Sequence, residues 1–267
     1  MSILRQITAR ILRTALSSSP EQIRHGVLRV AYQCVAPAYR HLFGFATAEG
    51  ALEVAKAHGF NPCGIVDVGA YVGEWSRMAH RVFPGVPLFM VDANPENEEA
   101  LSLAERAIGP SAKHFIRLLG SEVRENVTLF QLASGTSVLR ELTTLEPKPI
   151  QMPMSTLDSL LEPEKLVTPL LLKLDVQGFE LGVLRGGRAV LGKAELALIE
   201  LATIPYNEGA PLFAEVIAFM DQAGYVVFDF GGQFRRETDQ ALFQIDVLFA
   251  RKNSMLRSPR KFWACEP

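Results

Sequence analysis

The sequence predicts an α/β fold built on one open, mostly parallel sheet. Three observations predict it. Short apolar runs at 64–68, 87–92, 170–175 and 196–201 recur with helix-like segments between them, the alternation that a parallel sheet with crossover helices produces. The first run passes straight into a glycine turn and a helix start, Asp67-Val68-Gly69-Ala70-Tyr71-Val72-Gly73-Glu74-Trp75. Acids close these runs: Asp67, Asp92, Asp175 and Glu200. In open α/β sheets, ligands gather in the crevice beyond the carboxyl ends of the strands. A chain of 267 residues, 48% of them hydrophobic, is long and apolar enough for one such domain with extra N-terminal structure.

Taken in order, residues 1–57 read as a helical N-terminal extension without strand signals. Pro20 follows Ser17, Ser18 and Ser19 and suits the first turn of a second helix. Arg5, Arg10, Arg13, Arg24, Arg29 and Arg40 stand there against Glu21 alone. The apolar stripe of Ile3, Ile7 and Ile11 needs a partner surface. A solvated helical face and an arm docking on a membrane surface or a partner both fit this pattern. No apolar run reaches the ~20 residues that span a bilayer, and no cleavage site follows the arginines, which argues against a signal peptide.

The main domain is expected over 58–252. A strand at 64–68 leads to a helix over 73–83, and a strand at 87–92 leads to a helix from Pro95 capped by Asn94. Strands follow at 114–120 and 126–133. Residues 134–155, rich in Ser, Thr and Pro, read as an irregular loop of the functional kind. After the strand at 170–175 come a helix over 179–191, a strand at 196–201 and a helix over 212–223 stopped by Gly224. The segments 225–230 and 243–250 are joined by a loop holding Gly231-Gly232 and no helix pattern. An antiparallel hairpin is therefore expected to close the sheet, with 253–267 as a tail.

Composition excludes several functions. A net charge of -2 exerts no pull toward nucleic acid or anionic lipid, and basic residues do not interleave with aromatics as on a nucleic-acid platform. Cys34, Cys63 and Cys265 form neither a metal spacing nor a disulfide framework, which fits a reducing cytoplasm. The histidines at 25, 41, 58, 80 and 114 do not cluster with the acids. Nucleophile-elbow and HExxH motifs are absent.

The turn motif points to a nucleoside. An open glycine turn lets a ligand approach the backbone, and Asp92, 25 residues after Asp67, can accept from a ribose diol. A dinucleotide site requires G-x-G-x-x-G beneath a pyrophosphate. Here the pattern is D-x-G-x-x-x-G with only Gly69 and Gly73, which suits S-adenosylmethionine, a ligand without phosphate. Asp67 then supports its aminoacyl end, directly or through the turn. A second cluster follows: Lys173, Asp175, Gln177, Gly178 and Glu180. Strand alternation puts Lys173 and Asp175 on one side. They form either a structural ion pair or a carboxylate beside an acceptor hydroxyl. Glu200 is expected on the same sheet edge, where it could join Asp175 in binding hydroxyls, in acid–base work or around a cation; no spacing demands a metal.

With these residues in view, the chain resembles the FkbM family of S-adenosylmethionine-dependent methyltransferases, from about Gly64 to Arg251. The markers are Ser155-Thr156-Leu157-Asp158-Ser159-Leu160-Leu161, then Leu171-Leu172-Lys173-Leu174-Asp175-Val176-Gln177-Gly178-Phe179-Glu180, ending in Val183-Leu184-Arg185-Gly186-Gly187. The resemblance implies a Rossmann-like class I methyltransferase fold. It implies O-methylation of a hydroxyl on a sugar, glycan-linked or secondary-metabolite acceptor. Asp175, Lys173 and Glu200 are the candidate catalytic residues, Lys173 as supporting charge. Candidate cofactor-binding residues are Asp67, Gly69, Ala70, Tyr71, Gly73, Asp92, Ala93, Asn94, Ser121 and Glu122. Many members read Glu-Pro-Asn-Pro where this chain has Asp92-Ala93-Asn94-Pro95. Ser121 stands where an aspartate is frequent, with Glu122 as its neighbour for the adenine contact. A non-catalytic binding module of the same fold is the alternative. A nicotinamide oxidoreductase is disfavoured by the missing dinucleotide glycines.

Overall fold

Every residue of the runs Gly64–Val68, Leu88–Asp92 and Leu170–Leu174 is buried, as in strands covered on both faces. The computed structural model describes residues 47–132, 135–142, 146–236 and 238–258. Helix α1 (Ala48–Ala57) precedes β1 (Gly64–Val68), α2 (Glu74–Val82), β2 (Leu88–Asp92), a 3-10 turn (Pro95–Asn97), α3 (Glu98–Ile108) and β3 (Ala112–Ile116). Then come β4 (Leu118–Leu119), β5 (Arg124–Gln131), β6 (Lys148–Ser155), α4 (Leu157–Leu161) and β7 (Leu170–Leu174). The chain continues through α5 (Glu180–Gly186), α6 (Arg188–Lys193), β8 (Ala194–Ala202), α7 (Phe213–Gln222), β9 (Tyr225–Arg235) and β10 (Leu242–Arg251).

The main sheet has the order β3-β2-β1-β7-β8-β10-β9. Its strands pair in parallel from β3 to β8, and β10 runs antiparallel to both β8 and β9. The expected Rossmann-like sheet with an antiparallel closing hairpin is therefore present, with β10 inserted inside the sheet and β9 at the edge. Alternation along the strands divides the core. Val66, Leu172, Ile199 and Val247 pack with residues of α4–α7 on one face. On the other, Ile65, Leu171, Leu198 and Leu248 pack with residues of α1–α3.

Local chemistry sets the element ends. Asn94 accepts from the Glu96 N–H at 3.1 Å and starts the 3-10 turn that leads into α3. Gly224 adopts φ +88° after α7, a conformation open to a residue without Cβ.

Four sequence expectations need correction. The strand expected at 114–120 breaks at Arg117, whose N–H bonds to the Asp92 carbonyl at 2.8 Å. The stretch 134–155 is not all loop, because β6 forms the middle of a second sheet, β4-β6-β5. Pro149 and Pro153 hid that strand. They are tolerated because β4 pairs only with Met154 and Ser155, so the rest of β6 has one open edge. The helix over 179–191 is two helices parted at Gly186-Gly187. Finally, Gly231-Gly232 lie within β9, not in a loop. The arginine-rich stripe and Pro20 lie outside the described residues. Among those described, no helix is long and apolar enough to cross a membrane.

Candidate functional site

Strand register assembles the site. Asp67 pairs with Lys173, and Glu200 with Asp246. Leu174 pairs with Ile199, so the next residues, Asp175 and Glu200, emerge side by side. The pleat sends Asp67, Lys173, Asp175, Glu200 and Asp246 to one face of the sheet at the carboxyl ends of the parallel strands.

Asp67 is fully buried and does not reach the cavity. Its Oδ2 accepts from the Ser76 hydroxyl at 2.6 Å, and its Oδ1 lies 3.3 Å from Lys173 Nζ. Lys173 also donates to the Gly69 carbonyl at 2.8 Å and lies 3.4 Å from Asp175 Oδ2. Burial alone would lower the Lys173 ammonium; Asp67 and Asp175 outweigh it and hold the group above its ordinary value. Asp67 is thus linked to the glycine turn through Lys173 and has no contact of its own with the cavity.

The two turn glycines have packing reasons that the sequence did not reveal. A Cβ on Gly69 would stand 1.6 Å from the Asp175 carbonyl oxygen. One on Gly73 would stand 2.6 Å from Ala104 Cβ. Both adopt positive φ. The turn is therefore glycine-rich so that β1, β7 and α3 can approach, as well as to leave the turn open.

Asp92 builds the other end. Its Oδ2 accepts from the Tyr71 N–H at 2.7 Å, and its Oδ1 accepts from the Asn94 N–H at 2.8 Å and from Asn97 Nδ2 at 3.0 Å. Burial raises its carboxyl, with these donors acting against the shift. Three donors leave one lone pair, on Oδ2, for a further partner. Asn94 is itself buried and accepts from Gln131 Nε2 at 2.7 Å.

The acid end is held by amides. Gln177 Nε2 donates to Asp175 Oδ1 at 2.8 Å and to Glu200 Oε2 at 3.1 Å. Gln244 Nε2 donates to Glu200 Oε2 at 2.7 Å and approaches the Tyr206 hydroxyl at 2.8 Å. Burial first, then Asp175 and Asp246, raise the Glu200 carboxyl well above its usual range. Burial, with Asp175 adding to it, brings Asp246 to about 6. Burial also lifts Glu180 to about 7, although its Oε1 accepts from the Val176 and Gly178 N–H groups at 3.0 and 3.1 Å. Glu180 therefore pins the turn after β7 and is kept from the cavity.

A cavity of about 320 Å³ opens between these two ends, within the size of a ligand site. Gly69, Tyr71, Asp92, Ala93, Asp175 and Glu200 line it. Ala70, Gly73, Asn94 and Lys173 stand behind that wall. Ser121 and Glu122 are not brought to it: both are exposed, and Glu122 pairs with Arg124. Leu118, Leu119 and Leu129 instead form an apolar slot beside Arg117. Gln244 and Asp246 carried a legible signal, being polar positions in an apolar strand. Tyr206 and Ser137 carried none, since only the fold brings their loops here. Among the described residues, no set of three or more His, Cys, Asp or Glu side chains is arranged to hold a metal ion.

The family model for the methyltransferase FkbM domain matches residues 67–227, more than half of the chain. The chain belongs to the FkbM methyltransferase family. Its cofactor is S-adenosylmethionine. Among solved structures, the FkbM methyltransferase from Methylobacillus flagellatus KT is similar at 15% identity and a TM-score of 0.47, covering 92% of this chain; this chain spans 59% of that one. Precorrin-6y C5,15-methyltransferase from Geobacter metallireducens GS-15 is similar at 12% identity and a TM-score of 0.43, with coverages of 78% and 94%. Magnesium protoporphyrin IX methyltransferase from Synechocystis PCC 6803, solved with bound SAM, is similar at 11% identity and a TM-score of 0.42, with coverages of 75% and 76%. No curated protein sequence matches the chain.

The residues of this FkbM cavity suit that cofactor. Asp92, Asp175 and Glu200 are acids along the wall, and Arg117 is the only basic residue there among those described. Such a wall favours a diol and a cationic sulfonium and opposes a pyrophosphate. Leu118 and Leu119 give the same cavity an apolar stretch of wall.

Proposed function

We propose that the chain methylates a hydroxyl oxygen on a small or glycan-linked acceptor. Asp92 would hold the cofactor's ribose, the Gly69–Tyr71 turn its aminoacyl end, and Leu118, Leu119 and Leu129 its adenine. S-adenosylmethionine, when bound, supplies an electrophilic methyl carbon on sulfur. The observation that carries the reading is that Asp175, just past the end of β7 beside the glycine turn, faces the same cavity as Asp92 and keeps 30% of its side chain exposed.

Asp175 is positioned to take the hydroxyl proton as the acceptor oxygen forms its new bond. Lys173 sets a cation 3.4 Å from Asp175 Oδ2. Burial, then the neighbouring acids, raise the Glu200 carboxyl, which favours a role for it as a hydrogen-bonding partner of a second acceptor oxygen rather than as a second anion. A cytoplasmic site of action agrees with the exposed free thiol of Cys63.

The test is Asp175→Asn. Calorimetry with S-adenosylhomocysteine should give an affinity within about threefold of the parent, because the Asn is nearly isosteric and Asp92 is untouched. Methyl transfer from labelled cofactor to a panel of monosaccharides, glycans and small alcohols should fall by roughly 10²–10⁴. Undiminished transfer would remove Asp175 from the chemistry. A parent chain that binds S-adenosylhomocysteine yet methylates no acceptor would favour the binding-module reading.

A further inference from the structure

Gln244 is a polar residue inside a strand that is otherwise largely apolar, and its burial needs a reason. Its backbone is fixed on both sides, because β10 pairs it with Ala202 of β8 and with Phe234 of β9. The residue keeps only 7% of its surface exposed, and it lines the cavity. Buried polar groups are paired as a rule, so each polar atom of this amide can be followed to a partner.

A run of directed hydrogen bonds orients the amide. Glu200 Oε2 accepts from Gln177 Nε2 at 3.1 Å and from Gln244 Nε2 at 2.7 Å. The Tyr206 hydroxyl donates to Gln177 Oε1 at 3.4 Å and so accepts the other N–H of Gln244, at 2.8 Å. An amide nitrogen carries two hydrogens, and Gln244 Nε2 has placed both. Its Oε1 accepts from no group among the described residues. The amide oxygens of Gln131 and Asn207 also lack a partner, but protein seals them. That of Gln244 is not sealed, and the open space beside it is the cavity. An amide oxygen only accepts, and one left unpaired in a buried place carries a desolvation cost that a donor removes.

We propose that Gln244 is a specificity-determining residue, whose Oε1 accepts a hydrogen bond from a second hydroxyl of the molecule whose first hydroxyl lies at Asp175. The acceptor is then a polyol, such as a sugar unit, and an isolated alcohol is a poor one. This deepens the methyl-transfer reading and rests on it for the part played by Asp175. Hydrogen bonds no longer than 3.1 Å link Asp175 Oδ1 through Gln177 and Glu200 to the Gln244 amide, so one polyhydroxylated unit can meet both ends. A hydroxyl can accept from one neighbour and donate to another, which suits an oxygen placed between Glu200 and Gln244. Selectivity follows from the same chemistry. A deoxy position leaves Oε1 unpaired, and an ether oxygen would set two acceptors face to face.

The experiment measures binding by calorimetry to the full chain loaded with S-adenosylhomocysteine. The probes are methyl glucoside, methyl galactoside and methyl rhamnoside, each with its monodeoxy and mono-O-methyl derivatives. For at least one glycoside, removing or capping one hydroxyl should weaken binding by about tenfold or more. That hydroxyl should differ from the one that labelled S-adenosylmethionine methylates. Gln244→Met keeps the length and loses the oxygen, so the penalty for that derivative should shrink to within about threefold. Tyr206→Phe disturbs the same hydrogen bonds but leaves Oε1 in place, and should keep most of the penalty. Three results would overturn the proposal: a penalty unchanged in folded Gln244→Met, a penalty lost equally in Tyr206→Phe, or glycosides that do not bind or bind no better than their derivatives. The two readings fail separately. A preference that depends on Gln244, with no methyl transferred, counts against the reaction alone; transfer without that preference counts against Gln244 alone.

Discussion

Replacing Lys173 with methionine should be among the most damaging single changes in this domain. Asp67 is fully buried, and Lys173 is the cation beside its Oδ1. The substitution keeps the alkyl stem but leaves that carboxylate with only the Ser76 hydroxyl. Breaking a buried pair by removing one partner costs about 3–5 kcal/mol. The Gly69 carbonyl also loses a charge-assisted bond, about 1.5–3 kcal/mol in isolation. The two losses share one ammonium and do not add, so about 4 kcal/mol is expected. For a domain of this size that is a fall of about 8–16 °C in Tm. Urea unfolding followed by circular dichroism should show a lower midpoint with the same slope. The Lys173 ammonium is raised above its ordinary 10.5, so its stabilisation is fully present below that value and lost only as pH rises through the folded one. The deficit of the variant should therefore be constant through neutral pH and shrink in strong alkali. Asp67→Asn added to Lys173→Met should recover more than half of the loss, since no stranded charge remains. A single-variant cost under about 1 kcal/mol, or no recovery in the double variant, would refute the reasoning.

Gly69→Ala places a Cβ 1.6 Å from the Asp175 carbonyl oxygen at φ +77°; overpacking and the left-handed backbone together should cost about 3 kcal/mol or more in urea unfolding. Asp92→Ala removes the acceptor assigned to the ribose and should weaken S-adenosylhomocysteine binding by roughly 1.5–3 kcal/mol in calorimetry, an unchanged affinity excluding that role. Glu180 is raised by burial from 4.5 to about 7, so the folded state holds an extra proton between those values and stability falls by about 3 kcal/mol as pH rises through them. Glu180→Gln keeps the oxygen that accepts from Val176 and Gly178, and should flatten that slope and be the more stable chain above pH 7; an unaltered slope would assign the titration elsewhere.

The sequence by itself determined the frame of this protein. Runs such as Leu170–Leu174 are apolar at every position because both faces of the sheet are covered, so they are visible without partners. The turn at Gly69 and the acids at strand ends are also local features, which is why the cavity's Asp92, Asp175 and Glu200 could be named in advance. Only the tertiary structure decided what those residues touch. Asp67 was read as supporting a ligand directly or through the turn, and register with β7 buries it against Lys173, which bonds the turn's Gly69 carbonyl. Ser121 and Glu122 fell out of the site because β3 ends at Ile116 and β4 turns into a second sheet, whose strand β6 was masked by its prolines. Gln177, Tyr206 and Gln244 share no sequence spacing; they meet because β8 and β10 pair antiparallel and bring distant loops to one sheet edge. Local pattern encodes burial and turns, whereas a hydrogen-bonded site depends on distances between segments that no periodicity records.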